Sequence, residues 1–239
     1  MTFAERAFKF YKSLEFRNHL PPGVAVMNPY RNAQVQNYTK SFLFKFFSDE
    51  RKRVLVFGIN PGRFGAGVTG VTFTDPVALE KFCDIPNHLP KKRELSSEFV
   101  YKFIRQWGGP KKFYRDFFLT AISPLGFLKD GKNYNFYDHP NLLCDTKPFV
   151  VSSIKSQLAF GASRETAIVL GTGKIRQVFN ELNSEYKFFK NIYSVEHPRF
   201  IMQYRRKKLE IYLQKYCQTF TQALKSVKNT KLDITKNLA

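Results

Sequence analysis

The chain has 239 residues, 43% hydrophobic and 16% aromatic, enough for one large domain with a real core and far from a disordered composition. Lys and Arg number 39 against 19 Asp and Glu, and the net charge of +20 favours a polyanionic partner, nucleic acid ahead of a membrane surface. No apolar run reaches the roughly 18 residues of a membrane span, and Cys83, Cys144 and Cys217 lie too far apart for a C-x-x-C or a zinc or iron–sulfur ligand set, a sparse pattern that fits a reducing cytosol.

The N-terminus is amphipathic and charged, without a signal-peptide core. Phe3, Ala7, Phe10, Tyr11 and Leu14 recur at helical spacing over residues 3–18, and Pro21-Pro22-Gly23 ends that helix. Residues 24–30 read as loop. A second helix is expected over 36–47, with Phe42, Leu43, Phe46 and Phe47 on its buried side. Val54-Leu55-Val56-Phe57 then reads as a strand buried on both faces. It breaks at Gly58-Ile59-Asn60-Pro61-Gly62, because Pro61 and Gly62 cannot continue a strand. Asn60 therefore sits just past the carboxyl end of a central strand, the edge where open α/β sheets bind ligands. Gly58, Gly62, Gly65, Gly67 and Gly70 let backbone approach such a ligand closely. Residues 65–70 spell G-x-G-x-x-G, but they start several residues after the strand and lead into Val71-Thr72-Phe73-Thr74, a poor helix, so a dinucleotide site is not expected. Gly171-Thr172-Gly173-Lys174 lacks the P-loop spacing.

Asp75-Pro76 starts a short helix. Residues 96–107 form a clearer one, capped by Ser96 and carrying a stripe of Phe99, Val100, Phe103, Ile104 and Trp107. A second strand is expected over 116–122, ended by Ser123-Pro124-Leu125-Gly126, and a polar loop over 129–139. Then come a helix at 147–160, a strand at 167–170, a helix at 172–182 and a strand at 191–195 running into Glu196-His197-Pro198-Arg199. A long basic helix over 204–224 closes the domain, assigned to residues 1–226, and 227–239 read as a polar tail. Strands alternating with helices predict an α/β fold, a parallel sheet covered on both faces.

In such a sheet the loops after three strands converge on one edge, bringing Asn60, Phe73, Ser123 and His197 within reach of one site. No paired carboxylates and no Ser or Cys nucleophile with a base stand there. An Asn and a His beside a glycine loop can orient a water and donate a hydrogen bond to an oxyanion.

Gly58-Ile59-Asn60-Pro61-Gly62, Phe64-Gly65, Thr69-Gly70-Val71 and Phe73 resemble the first motif of the single-strand-selective monofunctional uracil-DNA glycosylases, roughly G-M-N-P-G-P-F-G followed by T-G-V-P-F. His197-Pro198 resembles the start of that family's second motif, whereas His139-Pro140 follows a polar loop instead of a strand. The order of strands and motifs is similar from about residue 50 to 210. The resemblance implies a three-layer α/β/α sandwich around a four-stranded parallel sheet. It implies hydrolysis of the N-glycosidic bond of uracil, and of other deaminated bases, in DNA during base-excision repair. Asn60 would position the attacking water, His197 would donate to uracil O2, Phe73 would stack on the flipped base and Gly62 would leave room beside it. Main-chain groups near Ile59 and Phe64 would contact the base. Arg63, Pro198, Arg199 and Arg205 would contact DNA, with Arg206, Lys207 and Lys208 as further phosphate candidates. No cofactor and no metal is implied, and the enzyme would act as a cytoplasmic monomer.

Two departures bear on specificity. The family reads the Watson–Crick edge of uracil with an Asn at the end of the second strand, where this chain has Ala121. Ser123, Asn133 and Asn135 are the candidates to replace it. Arg199-Phe200-Ile201 stands where the family has Ser-Pro-Arg, so the residue that fills the vacated duplex position is Arg199, Phe200 or one up to Arg205. Ile59 in place of Met matches the mismatch-specific branch of the superfamily, but His197 argues against it. The missing Asn also motivates a rival reading, a non-catalytic nucleic-acid-binding module on the same fold. A third is a hydrolase of free nucleosides or nucleotides.

Overall fold

The structure, a computed structural model, describes residues 1–236, with side chains through 227. In chain order the elements are α1 (Phe3–Lys12), β1 (Val24–Met27), α2 (Ala33–Phe46), β2 (Arg53–Gly58), α3 (Ala66–Thr69), α4 (Pro76–Lys81), α5 (Leu95–Gln106), α6 (Pro110–Asp116), β3 (Phe117–Ala121), β4 (Gly126–Lys129), β5 (Lys132–Tyr134), α7 (Pro140–Leu158), β6 (Ala162–Leu170), α8 (Lys174–Tyr186), β7 (Asn191–Val195), α9 (Pro198–Tyr204) and α10 (Leu209–Lys236).

Four strands form a parallel sheet in the order β3-β2-β6-β7. All six residues of β2 and all five of β3 are buried, as expected for strands covered on both faces. Successive side chains of a strand point to opposite faces, and the aromatic pairs show both layers. Phe118 packs against Phe3 of α1 and Phe47. Its neighbour Phe117 packs against Trp107, Phe113 and Phe220, the last on α10. The architecture is thus α/β, with helices on both faces of a four-stranded parallel sheet.

Where β2 enters the sheet, Arg53 is fully buried between the rings of Phe3 and Phe47. Its guanidinium makes two hydrogen bonds to the Asp49 carboxylate, at 2.8 and 3.0 Å, and one to the Tyr114 carbonyl at 2.8 Å, which is how a charge is accommodated there.

Several boundaries differ from the sequence expectation. Residues 24–27 and the hairpin over 126–134, which takes in the first half of the expected polar loop, form a second sheet, antiparallel, in the order β1-β4-β5. Asp130 and Gly131, at φ 51° and 68°, make the two-residue turn between β4 and β5; positive φ at both positions is the hairpin geometry that Asp-Gly favours. Helix α7 starts at Pro140, about two turns early, with His139 as its cap: the His139 ring accepts the Asn141 N–H at 3.2 Å. The cap of α5 is Glu94, not Ser96. The expected basic helix is two, α9 and α10, separated by Arg205 and the 3-10 turn Arg206–Lys208, and α10 runs on to Lys236, so the part of the expected tail up to that residue is helical; 237–239 lie outside the described residues. The G-x-G-x-x-G stretch holds only the single turn of α3, closed by Gly70 at φ 71°.

Candidate active site

At the carboxyl ends of the parallel strands lies a cleft of about 330 Å³. The β2 and β3 ends are tied together there, Ile122 N–H donating to Gly58 O at 3.0 Å and Ser123 N–H to Ile59 O at 3.1 Å. Ile59, Asn60, Gly62, Phe73, Asn135, His197 and Arg199 line this one cleft, together with Ala121.

The glycine loop shapes the floor. Phe73 holds a left-handed backbone, φ 57°, rare for a bulky residue, which aims its ring back at the end of β2. A Cβ on Gly58 would come within 2.6 Å of that ring, so glycine is what lets the ring lie against the strand. The ring is buried apart from its cleft-facing part, with the His197 ring centroid 6.0 Å away.

Asn60 is half-buried. Among the described residues, its Nδ2 reaches only the carbonyl of Pro61, at 3.4 Å, and its buried Oδ1 has no hydrogen-bond partner. A buried acceptor left unpaired costs on the order of 1–3 kcal/mol, so such an atom calls for a ligand.

His197 follows β7 and caps α9, with Pro198 buried at the first helical position. Its Nδ1 accepts the Arg199 N–H at 3.2 Å, so in the neutral ring the proton is on Nε2. Burial, and then the Arg199 charge, push the imidazole from its usual 6.5 down to about 4. The cleft therefore holds a neutral histidine that donates from Nε2.

Sequence reasoning missed Glu94, whose carboxyl group lies against Gly62 and Gly65. Its N–H is held by Asp75 Oδ2 at 2.8 Å, and Asp75 Oδ1 caps α4 through the Ala78 N–H at 2.8 Å. Burial, and then the Asp75 charge, raise Glu94 from 4.5 to about 7, with Arg199 opposing.

These two groups pull stability in opposite directions. The folded chain keeps His197 neutral where the unfolded chain protonates it, so that contribution is lost as pH falls from 6.5 to about 4. The folded chain keeps Glu94 protonated where the unfolded chain ionises it, so that contribution is lost as pH rises from 4.5 to about 7. Glu94→Gln, which cannot titrate, should therefore lose stability more steeply than the parent on acidification from about pH 7 to 4.5, read as the shift of the urea midpoint. Parallel midpoints would contradict the Glu94 assignment.

The other expected residues lie outside the cleft, at its edge, or in it with a polar group already engaged. Ser123 is fully buried and its hydroxyl donates to Leu125 O at 2.7 Å, so it does not face the cleft. Asn135 lines the cleft but spends its Nδ2 on Asp138 at 3.1 Å. Phe64 is 41% exposed outside the lining, flanked by Arg63 and Lys92 with their cations 4.7 and 5.2 Å from its ring centre. Arg199, Phe200 and Arg205 form an exposed rim on and just after α9, Arg205 over the Phe200 ring at 5.2 Å. Arg206 instead pairs with Glu98 at 3.1 Å.

The sequence model of the uracil DNA glycosylase superfamily matches residues 44–227. Among solved structures, the crystal structure of wild-type SMUG2 from Pedobacter heparinus superposes with a TM-score of 0.91 at 39% sequence identity, over 96% of this chain and 99% of that one. The Asn60 and His197 loops, which follow β2 and β7, lie within the matched residues. The chain belongs to the uracil DNA glycosylase superfamily and is of its SMUG type.

Proposed function

We propose that the protein is a monofunctional DNA glycosylase that hydrolyses the N-glycosidic bond of uracil, and of related deaminated bases, in DNA. The observation that carries this reading is the pairing, in one cleft, of a buried partnerless acceptor on Asn60 with a neutral Nε2 donor on His197, beside the Phe73 ring. A base must leave the stack before its glycosidic bond is reachable. Once extruded, it stacks on Phe73. Asn60 Oδ1 accepts a hydrogen bond from a water and turns its lone pair toward C1′ of the deoxyribose. His197 donates to O2 as the base departs with the bonding electrons, the water oxygen bonds to C1′, and the proton the water loses passes to the departing base. Among the described residues no lysine lines the cleft, so water is the nucleophile, and the product is an abasic site on an uncut strand. The test is release of uracil from a single-stranded oligonucleotide, followed as alkali-labile sites. An intact oligonucleotide, with hypoxanthine and xanthine substrates equally untouched, would overturn the reading.

The rim supplies the phosphate contacts. Arg63, Lys92, Arg199 and Arg205 are positioned to track a single strand, each neutralised phosphate adding roughly 0.7 to the slope of log affinity against log salt. Replacing Arg199 and Arg205 together by Gln should lower that slope by roughly 1.4 in fluorescence anisotropy. Arg206→Gln should change it less, because Glu98 already holds that guanidinium.

A further inference from the structure

Ala121 brings no polar side chain to the cleft wall, and Ser123 is turned away from it. Polar groups do stand at the corner made by the glycine loop. A Cβ grown on Gly62 would meet a Glu94 carboxyl oxygen at 2.7 Å and the Asn133 Nδ2 at 3.7 Å, so both side chains crowd the space that this glycine leaves open. Asn133 is oriented: its Oδ1 accepts the Arg63 N–H at 3.1 Å, which leaves Nδ2 as the group presented at this corner. Glu94 is anchored through its backbone by Asp75, while no donor among the described residues hydrogen-bonds to its carboxyl oxygens. A partly buried carboxyl group with no protein partner, inside the cleft that takes the base, is available to the base.

We propose that Glu94, with Asn133 beside it, reads the lactam edge of the extruded base. This rests on the glycosylase reading above. Uracil, hypoxanthine and xanthine all carry a ring N–H next to a carbonyl oxygen. A neutral carboxylic acid complements that pair as an amide does: its carbonyl oxygen accepts from the N–H, and its O–H donates to the carbonyl. Asn133 Nδ2 adds a second donor on the same side. The ionised form has acceptors only, so it keeps the first bond and opposes the second. Among the described residues, Asp75 and Arg199 act on Glu94, His197 shares its cleft and Arg63 stands on the adjoining loop. The Asp75 carboxylate favours its neutral form, Arg199 opposes this, His197 stays neutral, and Arg63 on the adjoining loop is turned to the Gly131 carbonyl. The neutral acid thus persists to about pH 7.

The test compares Glu94→Ala and Glu94→Gln with the parent in single-turnover release of uracil. Loss of a paired base contact corresponds to roughly ten- to a hundredfold. Glu94→Ala should show that loss below pH 7, and Glu94→Gln should recover most of it. Above pH 7 the parent rate should fall while the Gln variant stays level. A second measurement does not depend on turnover. On an Asn60→Ala background, binding of a uracil oligonucleotide is compared with one carrying a difluorobenzene nucleotide of the same shape without N–H or carbonyl. The preference for uracil should vanish with Glu94→Ala and return with Glu94→Gln. Uracil release by Glu94→Ala at the parent rate, or an unchanged binding preference, overturns the proposal. If the parent releases no base but the preference follows Glu94, the glycosylase reading fails and the edge reader stands.

Discussion

His197→Ala should slow uracil release by on the order of 10²–10³, the effect of losing one donor to a developing oxyanion. The leaving base takes the glycosidic electrons, and its charge builds on O2, where only a donor already in place can help. His197 is in place because its other nitrogen is committed to the Arg199 N–H, which fixes both the ring and the tautomer. The same bond makes His197 the cap of α9, and removing a cap costs about 0.5–2 kcal/mol. His197→Ala therefore mixes two effects, and His197→Asn separates them. Asn is among the best capping residues, but its shorter side chain does not deliver the Nε2 donor. The expected result for His197→Asn is a rate as low as the alanine variant's with a urea midpoint near the parent's. A rate restored by Asn would mean that His197 matters as a cap and not as a donor. Because His197 is neutral down to about pH 4, no loss of rate assigned to its protonation should appear on acidification above that value.

The site was legible where one residue's chemistry is set by its neighbours in sequence. The apolar run ending at Gly58, followed by Pro61 and Gly62, locates the end of a central strand, and His197 before Pro198 ends β7 in the same way. The position of Phe73 after the glycine loop put it near the site, but its stacking role came only from the resemblance, and nothing in Val71-Thr72-Phe73 announces a left-handed backbone. Glu94 was hidden for a different reason. It closes the run Lys91-Lys92-Arg93-Glu94, which reads as a solvated charged stretch, and it enters the cleft because Asp75, 19 residues earlier, holds its N–H. Ser123 misled because a hydroxyl at a strand end looks available, whereas its own loop offers the Leu125 carbonyl two residues on. The small antiparallel sheet had one strong local signal, Asp130-Gly131. Its third strand, β1, is distant in sequence, and only the pairing of Val24 to Met27 with β4 turns an apparent loop into an edge strand, opposite the β5 edge that carries Asn133.

Asn60→Ala should lower the rate by roughly 10²–10⁴, the range for a group that positions or activates the attacking water, without lowering stability. Most losses of a polar group from a folded interior destabilise, because a partner is left behind. Among the described residues Asn60 has almost no partner to leave: its Oδ1 has none and its Nδ2 makes one long bond to Pro61 O. Removing the amide relieves a desolvation cost of about 1–3 kcal/mol for the unpaired acceptor, offset in part by the lost packing. The urea midpoint should therefore stay level or rise while activity collapses, the pattern of a residue kept for chemistry at the expense of stability. Asn60→Asp gives the contrast. It retains an oxygen acceptor for the water, so it should keep more activity than alanine. It also places a carboxylate in the cleft that His197 shares, where it should draw the imidazole upward from about 4 and move the acid limb of the rate profile to higher pH. A destabilised Asn60→Ala variant with only a few-fold loss of rate would make Asn60 a turn residue of the Gly58–Gly62 loop, and the water would have to be held by another group in the cleft.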